Sequence, residues 1–221
     1  KLIKRYKRFF IDIKLNKEIV TAHCPNTGSM KGLLNEGNDV FLLKHDDPKR
    51  KLKYGLEIIK AQKNLVGVNT HMANRIVKHG LMNNLIKEFK DITTIKPEVF
   101  FNKETRFDFL IEKKEQKSFI EVKNVTLVRD KNTAEFPDAV TSRGSKHLLT
   151  LIDTIKKGYK AYLIFLVQIQ NIEKFKIAKD IDPLYYKNYI LAKKAGVIFL
   201  AYRTKISTKE IKIEKKIKII S

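Results

Sequence analysis

Polar and apolar positions alternate at the start of the chain. Phe9, Ile11, Ile13 and Leu15 interleave with Phe10, Asp12 and Lys14, the period-two pattern of a strand with one buried face. Asn16 and Lys17 predict a turn, and EIVTAHC a returning strand. NDVFLLKHD predicts a third strand. After the basic linker DDPKRKLKYG, YGLEIIKAQ and LVGVN predict two more. Five short strands without a helical pattern in residues 1–68 predict a small closed barrel or half-barrel, of which the oligonucleotide-binding (OB) type is the leading candidate.

The pattern changes after Asn69. Met72, Ile76, Leu81, Leu85 and Phe89 recur at helical spacing behind a candidate N-cap, Thr70, and open a second domain over residues 69–221. Three β-type runs follow, EVFF, TRFDFLI and SFIEVKNV. A helix is then predicted from Thr141 or Ser142 to Lys157, with Leu148, Leu149, Ile152 and Ile155 on one face and Gly158 closing it. YKAYLIFLVQIQ is almost continuously apolar, as a central strand buried on both faces should be. PLYYKNYILAKKAG predicts a helix and VIFLAYRTKI a strand. The tail KEIKIEKKIKIIS reads as an exposed edge hairpin. The expected architecture is α+β overall: a small N-terminal OB-like β-barrel, then an α/β domain with helices covering a mixed central sheet.

Composition narrows the partners. The formal charge is +22, from 46 basic and 24 acidic residues, which favours a polyanion. The basic residues are mostly Lys in a chain also rich in Ile and Asn, a usage that an AT-rich genome also produces. The positions of the charges therefore carry more than their sum. At 43% hydrophobic, the chain can bury a real core. One cysteine, Cys24, excludes an intramolecular disulfide and a cysteine-based zinc site, and next to His23 on a strand it faces the opposite side. With no apolar run near the ~20 residues of a membrane helix and no signal-peptide pattern, a soluble cytoplasmic protein that does not engage membranes is expected. Oligomeric state is not legible.

The candidate chemistry sits in residues 98 to 123. Glu121 and Lys123, two apart on a strand, point the same way. Asp108 lies on the preceding strand, joined by the polar turn EKKEQK, so both carboxylates can meet at one edge of a sheet. Two carboxylates can hold Mg²⁺ or Mn²⁺, and a lysine beside them can position a water, which is the equipment of metal-assisted phosphodiester hydrolysis. Glu98 opens the first of the three runs and is an extra acid. Spacing alone also fits an ordinary solvent face. Against that, Asp108 and Glu121 both interrupt apolar runs, where an acid is more often perturbed or metal-bound.

Two basic clusters complete the reading. Arg5, Tyr6, Lys7 and Arg8 mix cations with an aromatic, a combination that grips phosphates and stacks a base, or that protects a strand edge. Arg143, Lys146 and His147, at i, i+3 and i+4, share a helix face at an N-terminus, where cations oppose the helix dipole. A phosphate backbone would offset that cost; a solvated face is the alternative.

RYKRFFIDI, HCPNTGSMKGLL, VNTHMAN, EVKNVTL, FPDAVTSRGSKHL and AGVIFLAY together resemble the sugar fermentation stimulation protein A (SfsA) family, in order along almost the whole chain. The resemblance implies DNA binding, an N-terminal OB-like domain and a C-terminal domain similar to PD-(D/E)xK nucleases. By matching position it implies Asp108, Glu121 and Lys123 as nuclease residues, with Glu98 as an extra acid, and puts Arg143, Lys146 and His147 in the RG-x-KH motif. Where a Lys-Glu-Ala run is expected near the end of the first C-terminal helix, this chain has KHG, with His79 and Gly80. A helix acid acting there as a further metal ligand is thus in doubt. Two functions follow: a DNA-binding protein with a Mg²⁺-dependent nuclease centre, or a non-catalytic DNA-binding regulator of sugar-utilisation (maltose-type) genes on a nuclease-like scaffold. RNA binding is a third, since OB barrels accept RNA.

Overall fold

The chain forms sixteen strands, three α-helices and one 3-10 turn in a computed structural model that describes residues 1–130 and 132–220. The first departure from the sequence reading is at the N-terminus. The stretch read as one strand is a hairpin of β1 (Leu2–Tyr6) and β2 (Phe10–Leu15), turned by Lys7 and Arg8 at φ of 47° and 62°. With Phe9 they make the three-residue connection between the paired Tyr6 and Phe10, and no Gly or Asn advertised it. β3 (Glu18–His23), β4 (Asp39–Lys44), β5 (Tyr54–Ala61) and β6 (Asn64–Gly67) follow.

These strands hydrogen-bond in the order β1-β2-β3-β5-β4, with β6 on β5. The path closes on itself: the Leu2 amide donates to Asn38 O at 2.8 Å, and the Gly37 amide to Leu2 O at 2.8 Å. Inward positions Ile11 and Ile13 are buried, as period-two patterning demands, and a register shift at Glu57 lets both Leu56 and Ile59 of β5 enter the core.

Helix α1 (Thr70–Met82) begins one residue earlier than the Thr70 cap suggests: Asn69 is the N-cap, and its side chain accepts from the His71 amide. The helix stops at Met82. The expected continuation to Phe89 is instead a turn through Asn83 and Asn84 and a short 3-10 segment, Lys87–Phe89, that still buries Phe89. The runs read as strands are β7 (Thr94–Phe100), β8 (Arg106–Lys113) and β9 (Gln116–Val125). β10 (Leu127–Asp130) and β11 (Thr133–Phe136) come next, then α2 (Ser142–Lys156), β12 (Lys160–Val167), β13 (Lys174–Ile177), α3 (Pro183–Lys194), β14 (Ile198–Ile206), β15 (Ile211–Lys216) and β16 (Lys218–Ile219).

The central sheet runs β15-β14-β12-β9-β8-β7, with β9, β12 and β14 parallel and the outer pairs antiparallel. Every residue of β12 after Lys160 is buried, confirming it as the strand covered on both faces. On α2 the buried line is His147, Leu148, Leu151 and Thr154, while Leu149 remains exposed. The tail is not a hairpin. β15 forms the sheet edge against β14, and β16 crosses to a second sheet, β10-β11-β13-β16; Ser221 lies outside the described residues.

The barrel and the α/β part share one hydrophobic core, which runs from Ile11 and Leu56 through Leu163 and Phe165. Polar bonds reinforce the junction: the Gly67 amide donates to Gln168 O at 2.9 Å, and Thr70 Oγ1 to Pro25 O at 2.7 Å. A second core lies under α1, around Ile76, Ile120, Ile164 and Tyr202. Among the described residues no helix is long and apolar enough to cross a membrane.

Candidate active site

Register brings the two central acids together. β8 and β9 pair antiparallel with Phe109 opposite Ile120, so the next position sets Asp108 against Glu121. The Asp108 carboxylate spans the gap: Oδ2 accepts from the Val122 amide at 2.7 Å, and Oδ1 from Asn74 Nδ2 of α1 at 2.7 Å. Glu121 is buried at 3% exposure. Its Oε1 accepts from Lys123 Nζ at 2.6 Å and lies 2.5 Å from His147 Nδ1, delivered by α2. Its Oε2 is buried without a hydrogen-bond partner.

The charges explain the titration. Burial first, and the Glu121 charge second, push Asp108 up to about 6, against the bonds from Val122 and Asn74. Burial pushes Glu121 up as well, but Lys123 and His147 outweigh it and hold the carboxyl below its ordinary value. The result is a half-buried acid repelled by its neighbour, beside a carboxylate with one neutralised and one open oxygen. A hard divalent cation fits that donor set, because it would take the open oxygen and relieve the repulsion. Among the described residues no three of His, Cys, Asp and Glu converge as a ligand group. Water would have to fill the remaining positions, as Mg²⁺ ordinarily requires.

The other predicted residues fall in different places. Glu98 is on β7 across from Asp108, between the pairs Pro97–Phe109 and Val99–Phe107, but its carboxylate ion-pairs with Arg106 Nε at 2.9 Å at the surface. The structure does not bring it to the other two acids. His147, read as part of a phosphate-facing helix surface, turns inward to Glu121. Arg143 and Lys146 remain exposed, and Arg143 Nε reaches His147 Nε2 at 3.4 Å.

In the first basic cluster, Arg5 is committed to the chain itself. It donates to the carbonyls of Asn26 at 2.6 Å, Gly28 at 2.9 Å and Arg8 at 3.1 Å. Tyr6 stacks on Phe10 and donates to Asp12 Oδ1 at 3.2 Å. Lys7 and Arg8 form the exposed hairpin tip. Arg8 lines a cleft of about 500 Å³ together with Ser29, Val140 and Thr141, the N-cap of α2. Ser29 Oγ and the Met30 amide both donate to Asp138 Oδ2, at 2.9 and 3.1 Å, and so fasten the barrel's loop to the segment that leads into α2.

Asn74 is the site residue the sequence reading missed. It lies in VNTHMANR, a motif with no evident task in the sequence. A polar residue five positions after Asn69, on the half-exposed side of an amphipathic helix, was its only signal. Tyr185 of α3 was also missed. Its hydroxyl is buried without a partner, and burial and the Glu121 charge push it well above a phenol's ordinary value.

Barrel, mixed sheet and paired acids define a two-domain α/β protein with an OB-type first domain. The chain belongs to the sugar fermentation stimulation protein family: residues 3–68 match the SfsA N-terminal OB domain, and residues 71–210 the sugar fermentation stimulation protein RE domain. A sugar fermentation stimulation protein homolog of Pelagibacter ubique (strain HTCC1062) is 73% identical over 221 residues, covering 100% of this chain and 95% of that relative. The homolog of Geotalea uraniireducens (strain Rf4) is 43% identical, covering 99% and 94%. The structure of Pyrococcus furiosus SfsA in complex with Ca2+ superposes with a TM-score of 0.91 over 100% of this chain and 94% of that one, at 24% identity.

Proposed function

We propose that this protein binds DNA in the cytoplasm and hydrolyses its phosphodiester bonds at the Asp108–Glu121 centre in a Mg²⁺- or Mn²⁺-dependent reaction of the PD-(D/E)xK type. The observation that carries the proposal is the convergence of the two acids from adjoining strands, with Glu121 Oε2 buried and unpartnered. A likeness at the level of the fold accompanies it: the Pyrococcus furiosus relative was solved in complex with Ca²⁺, a cation that also takes oxygen ligands.

Asp108 and Glu121 would hold the ion. When bound, it would supply Lewis acidity and lower the pKa of a bound water. The chain's own groups do the rest. Lys123, anchored on Glu121 Oε1, places an ammonium beside the attacked phosphate and offsets the charge that gathers there. His147 fixes the Glu121 carboxylate from behind, so the open oxygen keeps one direction. Asn74 does the same for Asp108. Arg8 on the wall of the cleft, and the exposed side chains of Lys7, Arg143 and Lys146, offer cations suited to the backbone rather than the bases.

The test is incubation with single-stranded, duplex and branched DNA in Mg²⁺, Mn²⁺ or EDTA. Cleavage that needs the metal and disappears in Asp108→Ala supports the proposal. Tight binding with no cleavage under any condition refutes the catalytic part and favours the regulator of sugar-utilisation genes. One observation speaks for that second reading: Lys123 already neutralises the Glu121 oxygen that His147 also contacts, so the cluster can stand as a structural ion pair. RNA outcompeting DNA in direct binding would redirect both readings.

A further inference from the structure

Four residues of two motifs have no task in the chemistry above. HCPNTG supplies His23, and VNTHMANR supplies Asn69, His71 and Arg75. The fold brings them together. They line a cleft of about 630 Å³ between the barrel and the turn that joins β14 to β15.

At its floor is Glu57 of β5, a half-buried acid in the barrel wall. Both of its oxygens accept from Asn69 Nδ2, at 2.8 and 3.0 Å. The same Asn69 caps α1 through its Oδ1, so the carboxylate is tied to the helix that also carries Asn74. Three imidazoles, His23, His45 and His71, surround the acid, and Arg50 and Arg75 stand exposed at the rim. His45 leans over Gly55: a Cβ there would come within 3.1 Å of its Nε2. Burial, then Arg50 and the other two imidazoles, hold His23 below its ordinary value. Phe41 and Leu42 add apolar wall.

A pocket for a bare anion would not be centred on a carboxylate. One for a metal would need converging ligands, and none converge among the described residues. The arrangement is instead amphipathic: an acceptor at the floor, flat rings on the sides, cations at the mouth. An unpaired nucleobase matches each part. An N–H on its edge donates to a carboxylate (guanine offers two, the ring N–H and the exocyclic amine), its faces stack on imidazole, and its phosphates reach arginine. In a duplex those donors are engaged in pairing, so the complement is a single strand.

We infer that this cleft seats one unpaired base of a single-stranded nucleic-acid segment, with Glu57 accepting from the base edge and Arg50 and Arg75 holding the adjoining phosphates. α1 sets the direction of the strand. His71, Arg75 and Lys78 lie at i, i+4 and i+7 on its exposed side, and Asn74, beside them, donates to Asp108. A strand leaving the cleft along α1 runs toward the acid centre. The inference rests on the nucleic-acid reading above and adds the strand state and the entry route.

The experiment measures binding of fluorescein-labelled single-stranded and duplex DNA of equal length to the full chain in EDTA, by anisotropy across a salt series. Arg50→Ala with Arg75→Ala should weaken single-strand binding tenfold or more and flatten its salt slope by about 1.4, two phosphates at ~0.7 each. Duplex affinity should change less than twofold. Glu57→Gln should leave the salt slope alone and alter the preference among homopolymers. Parallel losses for both DNA forms would overturn the inference, since the arginines would then be general basic surface. So would wild-type binding that neither set of substitutions moves; in that case the nucleic-acid reading survives. A wild-type chain that binds neither form at low salt overturns both. Unchanged circular dichroism of the variants ties any loss to the cleft.

Discussion

Replacing Asp108 by Asn should change how stability depends on pH, because the native fold holds this acid against its preference. Burial and the Glu121 charge raise it from 3.8 to about 6. The folded state therefore keeps a proton that the unfolded state releases over that interval. Stability from this group is full below 3.8 and is lost as pH rises through about 6. The rise corresponds to roughly 3 kcal/mol, and partial solvent contact reduces this to about 2. Asn removes the charge but keeps the shape. It forfeits one of two accepted hydrogen bonds unless Asn74 turns its amide, at a cost of about 1 kcal/mol that does not vary with pH. In EDTA, the variant's stability relative to wild type should improve by about 2 kcal/mol between pH 4 and pH 8. For a chain of this size that is a relative gain of about 4–8 °C in melting temperature. Thermal unfolding by circular dichroism in matched buffers measures it. Adding Mn²⁺ at pH 8 should raise the wild-type melting temperature and leave the variant unmoved. A difference that stays flat across pH would refute the argument, because Asp108 would then be an ordinary solvated acid.

Other substitutions separate roles that the sequence ran together. His147→Gln should cost about 2 kcal/mol in stability, since it removes a partner of a buried carboxylate; an unchanged melting temperature would show that Lys123 alone suffices. Arg5→Ala should lower stability by about 1–2 kcal/mol without altering the salt slope of DNA binding, because the guanidinium is spent on three backbone carbonyls. Arg8→Ala, at the exposed tip, should leave stability alone and flatten that slope by about 1 on duplex DNA. The reverse pattern would mean that Arg8 is the structural residue.

Much of this molecule was legible because its periodicities are strong. Alternation gave the barrel strands, the run at 160–167 gave the doubly covered strand, and Thr141 and Gly158 bracketed α2. The pairing of Asp108 with Glu121 was legible because a short polar turn fixes antiparallel register. What escaped was set by side-chain direction rather than spacing. Arg143, Lys146 and His147 share a nominal helix face, yet His147 sits next to Leu148 on the inner side of that arc and is drawn to a buried carboxylate. Arg5 reads as a free cation until the loop 24–30 closes over it. The Lys7–Arg8 turn carries no Gly or Asn, so propensity could not reveal it; tertiary contacts from Arg5 hold it instead. The tail alternates as an edge hairpin would, but Ile217 is buried and pulls the last strand into another sheet.

In the proposed function one divalent ion sits between Asp108 and Glu121. A crystal soaked in Mn²⁺ and read by anomalous scattering tests this most directly. A peak is expected in contact with the Asp108 carboxylate and Glu121 Oε2, and no such peak in Asp108→Asn crystals. An empty site in the wild-type crystal, or a peak that touches neither of those carboxylates, would contradict the proposal.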